Sequence, residues 1–305
     1  MSDIVAHQTG LRKGQRMRDT TEMLLKTLEL EQLEANLFRG LSPQVGWQRV
    51  FGGQVVAQAL IAAAKTVSKE TPIHSLHGYF LVGGDPKIPI IYEVDRIRDG
   101  RSYVTRRVNA IQHGRAIFSM SASFHAAEDG YEHQFAMPDV PAPEDLPDSR
   151  ELRDLYRENT PETVRKFLER RRALEMRPVD FRHYVSSDSL PPHQNIWFRA
   201  ADALPDEPLI HAAILAYASD MTLLDTALFA HGKSVFDPDL ALASLDHAIW
   251  FHRPVRADDW LLYAQDSPTA GGGRGFTRGA IYSRSGVLVA STAQEGVIRR
   301  KSDKE

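Results

Sequence analysis

The chain has 305 residues, 42% of them hydrophobic and 25% charged, with a formal net charge of −3 and no cysteine. That length suits one large domain or, better, two of about 150 residues each. The missing cysteine excludes disulfides, thiolate nucleophiles and Cys-ligated zinc, and without a Lys/Arg cluster interleaved with aromatics there is no ground for a nucleic-acid partner.

Residues 1–20 are polar, have no apolar signal-peptide core and are expected to form a mobile N-terminal extension. No run is read as the roughly 18 apolar residues a membrane span needs, and the C-terminal "RRKSDKE" carries no Ser-Lys-Leu address, so a cytoplasmic protein without stable membrane association is expected. Asp19 and Glu22 have capping-box spacing ahead of Met23, Leu24, Leu25 and Leu28, whereas "LEQLEANLF" fits either a helix or a strand alternating through Leu33, Ala35 and Leu37. "GGQVVAQALIAAAKTV" (52–67) predicts a helix behind a glycine pair, with Val56, Ala59, Leu60, Ala63 and Val67 at steps of three and four. It is apolar nearly all round and therefore buried. Strand-like runs follow in "SLHGYFLV", "IPIIYEVDRIRDG", "SYVTRRVNAIQHG" and "AIFSMSASFH", separated by Gly, Asp and Pro.

From Pro138 the chain turns rich in proline and acid, and "PETVRKFLERRRALEMR" predicts a charged helix. Residues 138–175 are thus expected to connect a first unit, 21–137, to a second, 176–305. The second unit repeats the order of the first. A strand "NIWFRA" precedes one continuous helix, "LIHAAILAYASDMTLLDTALFAHG", in which Ile210, Ile214, Tyr217, Met221, Leu224 and Leu228 keep helical spacing. Strands in "LALASLDHAIWFHRP", "WLLYAQDS", "GFTRGAIYSRSG" and "GVLVASTAQEGVIR" follow. An apolar helix followed by antiparallel strands, twice, is an internal repeat and an α+β fold. Laying 100–124 over 273–296 with one gap pairs Gly100 with Gly273, Gly114 with Gly286 and Ser119 with Ser291. In that register Gln294 falls opposite Ala122.

Gln294 and Glu295 interrupt an otherwise apolar final strand, and a buried amide or carboxylate needs partners. Most catalytic signatures are missing: there is no Gly-x-Ser-x-Gly, no His-Glu-x-x-His, and "AHGKS" lacks the first glycine of a phosphate loop. "GGGRG" is read as a turn because no helix follows it. His247 and His252, five apart on a strand, face opposite sides, as do His74 and His77, so no metal site is expected. On the second helix Asp220 and Asp225 flank the apolar stripe at about −60° and +80° from Tyr217, and periodicity does not choose between them.

The segments "VFGGQVVAQAL", "YFLVGGDPKIPIIYEVDRIRDGRSY", "AYASDMTLLDTAL", "ASLDHAIWFHRP", "WLLYAQDSP", "GFTRGAIY" and "GVLVASTAQEGVIR" resemble the type II acyl-CoA thioesterases, the TesB family, from about residue 20 to the C-terminus. The resemblance implies a double hot-dog fold, two tandem antiparallel sheets each wrapped around a central helix. It further implies hydrolysis of fatty acyl-CoA, the substrate partner, without cofactor or metal. An Asp, a Thr or Ser, and a Gln would carry the reaction, here matching Asp220, Ser244 and Gln294. Chemically these could hold a water for attack on a thioester, with Asp220 as its base. A homo-oligomer, dimer or tetramer, is expected. An enoyl-CoA hydratase would want an Asp–His pair, but no histidine follows Asp220 before His231. A non-catalytic acyl-CoA carrier is the alternative from another class. Arg274, Arg278 and the 299–301 run are candidates for meeting phosphates.

Overall fold

A computed structural model describes residues 20–44, 48–156, 160–170 and 172–301; the expected N-terminal extension, through Asp19, lies outside them. Helix α1 (20–28) leads into a hairpin of β1 (Glu31–Glu34) and β2 (Leu37–Gly40), which resolves the ambiguous "LEQLEANLF" as two short strands. Helix α2 (Gly52–Ala64) is followed by β3 (Ile73–Phe80), β4 (Ile90–Asp99), β5 (Tyr103–Gln112) and β6 (Arg115–His125). The expected helix over 52–67 stops at Ala64, where Thr66 Oγ1 donates back to the carbonyl of Ala63.

The connection is more structured than its composition suggests. Asp148 caps α3 (Ser149–Leu155) through a full capping box with Glu151. Helix α4 (Glu162–Glu169) ends well before the predicted charged helix does, because Leu174–Pro178 instead forms β7, an edge strand paired with β8 (His193–Ala200). Leu152, Val164, Leu168, Phe181 and Tyr184 bury a small core of their own beneath these helices.

Helix α5 (Pro208–Ser219), a 3-10 turn at Leu223–Asp225, α6 (Thr226–Phe229) and strands β9 (Leu240–Ser244), β10 (Asp246–Phe251), β11 (Leu261–Gly271), β12 (Arg274–Ser283) and β13 (Leu288–Arg300) complete the chain. All strands among the described residues join one antiparallel sheet of 13 in the order β1-β2-β4-β5-β6-β3-β10-β13-β12-β11-β8-β7, with β9 pairing β13 off that path. The two halves therefore meet at β3 and β10, where Leu76 pairs with Ile249. One hydrophobic core spans both, through Val56 and Leu60 of α2, Ile214 and Leu215 of α5, and Leu76, Val108, Ile249 and Tyr263 of the sheet. Each such aliphatic side chain contributes on the order of 1.5–3 kcal/mol by leaving water, which is why two nearly all-apolar helices settle at the centre.

The single helix expected over 209–232 is a correction. It breaks after Ser219 because the polar residues there find tertiary partners instead of helical ones. Tyr263 Oη donates to the Ser219 carbonyl at 3.0 Å, Gln194 Nε2 donates to the Thr222 carbonyl at 3.1 Å, and Gln265 Nε2 donates to Thr222 Oγ1 at 2.7 Å. By length and composition the 22 residues Pro208–Phe229 would pass for a membrane span, contrary to expectation, but most of the stretch is buried inside the fold.

Candidate active site

Asp220 is the C-cap residue of α5, so the helix break delivers its carboxylate off the helix axis rather than along its side. Asp225, which the helical wheel left equivalent, sits in the following 3-10 turn, is buried, and accepts a 2.8 Å hydrogen bond from Tyr184 Oη. Gln294 lies in β13 and is only 1% exposed. Its Nε2 donates to Asp220 Oδ1 and to Ser244 Oγ, each at 2.7 Å, and Ser244 Oγ lies 3.5 Å from the same Asp220 oxygen. The structure thus brings together all three residues singled out from sequence. Asp220 and Ser244 are half-buried, so the cluster has one side within reach of solvent.

A bulge makes the Ser244 contact possible. "LALASLDHAIWF" was expected to run as one strand, but pairing with β13 shifts at Leu245: Ser244 pairs with Gly296, while Ala248 pairs with Ala293. In an unbroken strand Ser244 and His247, an odd step apart, would face opposite sides of the sheet. The extra residue re-aims Ser244 onto the face that also carries Gln294.

The first half closes the site from the other side. The backbone N–H of Gly53, in the first turn of α2, donates to the Asp220 carboxylate. A Cβ on Gly52 would stand 2.6 Å from Asp220 Oδ2, and one on Gly53 would stand 2.4 Å from the carbonyl of Tyr217. Only glycines allow α2 to abut the end of α5 this closely. Phe51 packs edge-on against Tyr217, 4.9 Å between centroids, and Phe80 lies beside Gly52, giving the cluster apolar walls. Sequence reasoning noted the glycine pair only as a helix start; a contact made across the two halves has no local signal.

Burial pushes the Asp220 carboxyl up to about 6, against hydrogen bonds from Gln294, Gly53 and Ser244 that favour the ionised form. Burial likewise pushes Asp225 up to about 7, with Tyr184 pulling it down and the charge on Asp220 pushing it further up. Asp225→Asn should retain the Tyr184 contact through the amide oxygen and change kcat by less than about threefold. Because its carboxyl is pushed above that of Asp220, Asp225 is uncharged where Asp220 ionises, so the acid limb of a kcat/KM–pH profile should stay in place. An inactive Asp225→Asn beside an active Asp220→Asn would mean that the wrong carboxylate has been identified.

Two family models match the chain: an acyl-CoA thioesterase N-terminal domain over residues 42–125 and an acyl-CoA thioesterase model over 164–297. Acyl-coenzyme A thioesterase 8 of Homo sapiens is 42% identical over 301 residues, 95% of this chain and 93% of that protein. Acyl-CoA thioesterase 2 of Haemophilus influenzae is 40% identical over 283 residues, 93% and 99% of the two chains. The solved structure of acyl-CoA thioesterase II TesB2 from Mycobacterium marinum superposes with a TM-score of 0.75 at 45% identity, covering 92% of this chain and 99% of that one. This chain belongs to the type II acyl-CoA thioesterase (TesB) family. A conserved protein with a hot-dog fold from Alicyclobacillus acidocaldarius, 19% identical with a TM-score of 0.73 over 92% of this chain and 99% of that one, shares the fold.

In this TesB-family chain the first half has a different constellation at the corresponding place. Each half has a strand pair bulged beside its turn, with Ala110 paired to Phe118 in one and Ile281 to Ala290 in the other. Four residues past the bulge stand Ala122 and Gln294, as the sequence overlay had them. Opposite Ala122 is Arg106, and opposite Gln294 is Thr277. Arg106 is 1% exposed; it donates to Thr66 Oγ1 at 2.8 Å and to the Thr66 carbonyl at 3.1 Å, and pairs with Asp99. A cation there caps the end of α2 and fills the position. Titration with a tight, non-hydrolysable acyl-CoA analogue should therefore saturate at one equivalent per chain; two equivalent sites would contradict this asymmetry. Arg274 and Arg278, considered for phosphate contact, pair with Glu295 and Asp266 at 2.9 Å each.

Proposed function

We propose that the chain hydrolyses fatty acyl-CoA to the free fatty acid and CoA by direct attack of water, with Asp220 as general base. The observation that carries this is the three-way contact of Asp220, Ser244 and Gln294 at the half-open end of α5 in a TesB-family chain. Asp220 takes a proton from the water as its oxygen bonds to the thioester carbon. When the tetrahedral intermediate collapses, the C–S bond breaks and the same proton passes to the leaving thiolate. Ser244 holds the water, and Gln294 fixes the carboxylate. The Gly53 N–H is held by the Asp220 carboxylate and those of Gln54 and Val55 by the Phe51 carbonyl, so the Gly52 N–H at the start of α2 is the group assigned to meet the oxyanion. A carboxyl near 6 is ionised at neutral pH yet basic enough to accept the proton.

Each half is proposed to be one hot-dog unit, 21–137 around α2 and 176–305 around α5, joined through 138–175. Contacts of α2 with β2 to β6 support the first unit, and the antiparallel β3–β10 seam supports their side-by-side arrangement. The hydratase alternative loses support because His247, the buried histidine beside the cluster, is tied to Ser219 at 2.8 Å behind Gln294. Thiol release measured across acyl-CoA chain lengths tests the activity; no release from any of them by folded protein would rule it out.

A further inference from the structure

The Gln294 amide can work only one way round. Its partner Asp220 Oδ1 belongs to an acceptor-only group when ionised, so the nitrogen must face it at 2.7 Å, and the same nitrogen serves Ser244. Both N–H groups are then used and Oε1 points away, buried, with no hydrogen-bond partner of full geometry. A flipped amide would set oxygen against carboxylate. Something has to decide the orientation.

The β10–β13 ladder pairs Ala248 with Ala293, which sets His247 directly across from Gln294 on the same face. His247 is 1% exposed, and its ring is within hydrogen-bonding reach of the Gln294 side chain. Its Nε2 lies 2.8 Å from Ser219 Oγ, whereas its Nδ1 is buried without a partner, as is Gln294 Oε1. Leaving two such atoms unmet in the interior forfeits their hydration with nothing in return, and one bond between them satisfies both. If Nε2 held the proton, two lone pairs would face each other across the ladder. With the proton on Nδ1, the single Ser219 Oγ proton turns from the Ala216 carbonyl, 2.9 Å away, to Nε2, and every side-chain polar atom in the row is satisfied. Burial holds the ring neutral by pushing it down to about 4, so a single tautomer is maintained at working pH.

We propose that His247 is a positioning residue: its Nδ1–H donates to Gln294 Oε1 and locks the amide with both N–H groups turned to Asp220 and Ser244. This rests on the roles proposed above for those three residues. His247 touches neither substrate nor water and acts only through Gln294.

His247→Leu should lower kcat by about 10- to 100-fold with KM changed less than about threefold. In a Gln294→Ala background the same substitution should cost less than about twofold, since the group it positions is gone. His247→Asn, whose amide nitrogen overlays Nδ1, should recover most of the loss; Ser219 Oγ, released from the ring, turns its proton to the Ala216 carbonyl 2.9 Å away. Two-bond nitrogen–proton correlation on the unmodified protein should show the Nδ1–H tautomer for His247, a readout that does not depend on any variant folding. The Nε2–H tautomer, or a His247→Leu loss that multiplies fully with that of Gln294→Ala, would overturn the proposal while leaving the site intact. Wild-type turnover by Gln294→Ala alone would instead overturn the reading of the site.

Discussion

Asp220→Asn is expected to lower kcat by about 10²- to 10⁴-fold, the range general-base help supplies, while acyl-CoA affinity stays within a few-fold. The substitution keeps the volume and an oxygen for Gln294 Nε2 to donate to, and deletes proton acceptance by replacing the second carboxylate oxygen with an NH2 group. Stability should move the opposite way. Because burial raises the Asp220 carboxyl to about 6 in the folded protein, from near 4 in the unfolded chain, folding favours its protonated form. That favour is fully present below pH 4 and is lost as pH rises through 6, so above 6 the ionised carboxylate costs on the order of 3 kcal/mol. Asn carries no such cost. The variant should melt higher than the parent at pH 8, with the gain shrinking as pH is lowered from 6 towards 4. An inactive variant that melts lower at pH 8 would mean that Asp220 is a structural linchpin and its loss of activity a folding effect. An active one would remove it as the base.

Much of the frame is legible in sequence because it follows from local periodicity. Val56, Leu60 and their neighbours announce α2, and the alternating runs from Ile73 to His125 and from Leu261 to Ile298 announce the sheet. The duplication shows in the same pattern, and even the mismatch of Ala122 with Gln294 is visible as a mismatch of letters. What periodicity cannot carry is where regular structure is interrupted by partners distant in sequence. The α5 break depends on Gln194, Tyr263 and Gln265, which lie on other strands. Helical spacing persists through Leu228, so nothing local marks it. The Leu245 bulge and the Gly53–Asp220 contact are likewise products of register and of the meeting of two halves. Asp225 illustrates the point from the other side: the wheel gave it the same standing as Asp220, and Tyr184, 41 residues upstream, separates them. The resemblance to a family chose the correct carboxylate for contact with Ser244 and Gln294 before any geometry did.

Gln294→Ala should lower kcat by roughly 10- to 1000-fold with a smaller change in KM, because the amide orients the carboxylate and Ser244, and the water only through them, without gripping the acyl chain. It also removes the first of the three hydrogen bonds that favour ionised Asp220. Losing a donor to the charged form raises a carboxyl pKa, so the acid limb of the kcat/KM–pH profile should move above 6. The residual activity would then be partly recoverable by raising the pH. A purely structural amide predicts lower stability with an unmoved pH profile. Some stability should be lost in either case, about 1–2 kcal/mol, because a fully buried side chain leaves a gap and a partly unmet carboxylate. The neighbouring Glu295→Gln is the control. Glu295 points to the opposite face and pairs with Arg274 at 2.9 Å on an exposed surface, where such a pair is worth little, so activity and pH profile should both survive. If Gln294→Ala turned over acyl-CoA at the parent rate with the same acid limb, the amide would have no part in orienting the carboxylate or Ser244. Its burial in an apolar strand would then be explained by Ser244 and Asp220 serving it rather than the reverse.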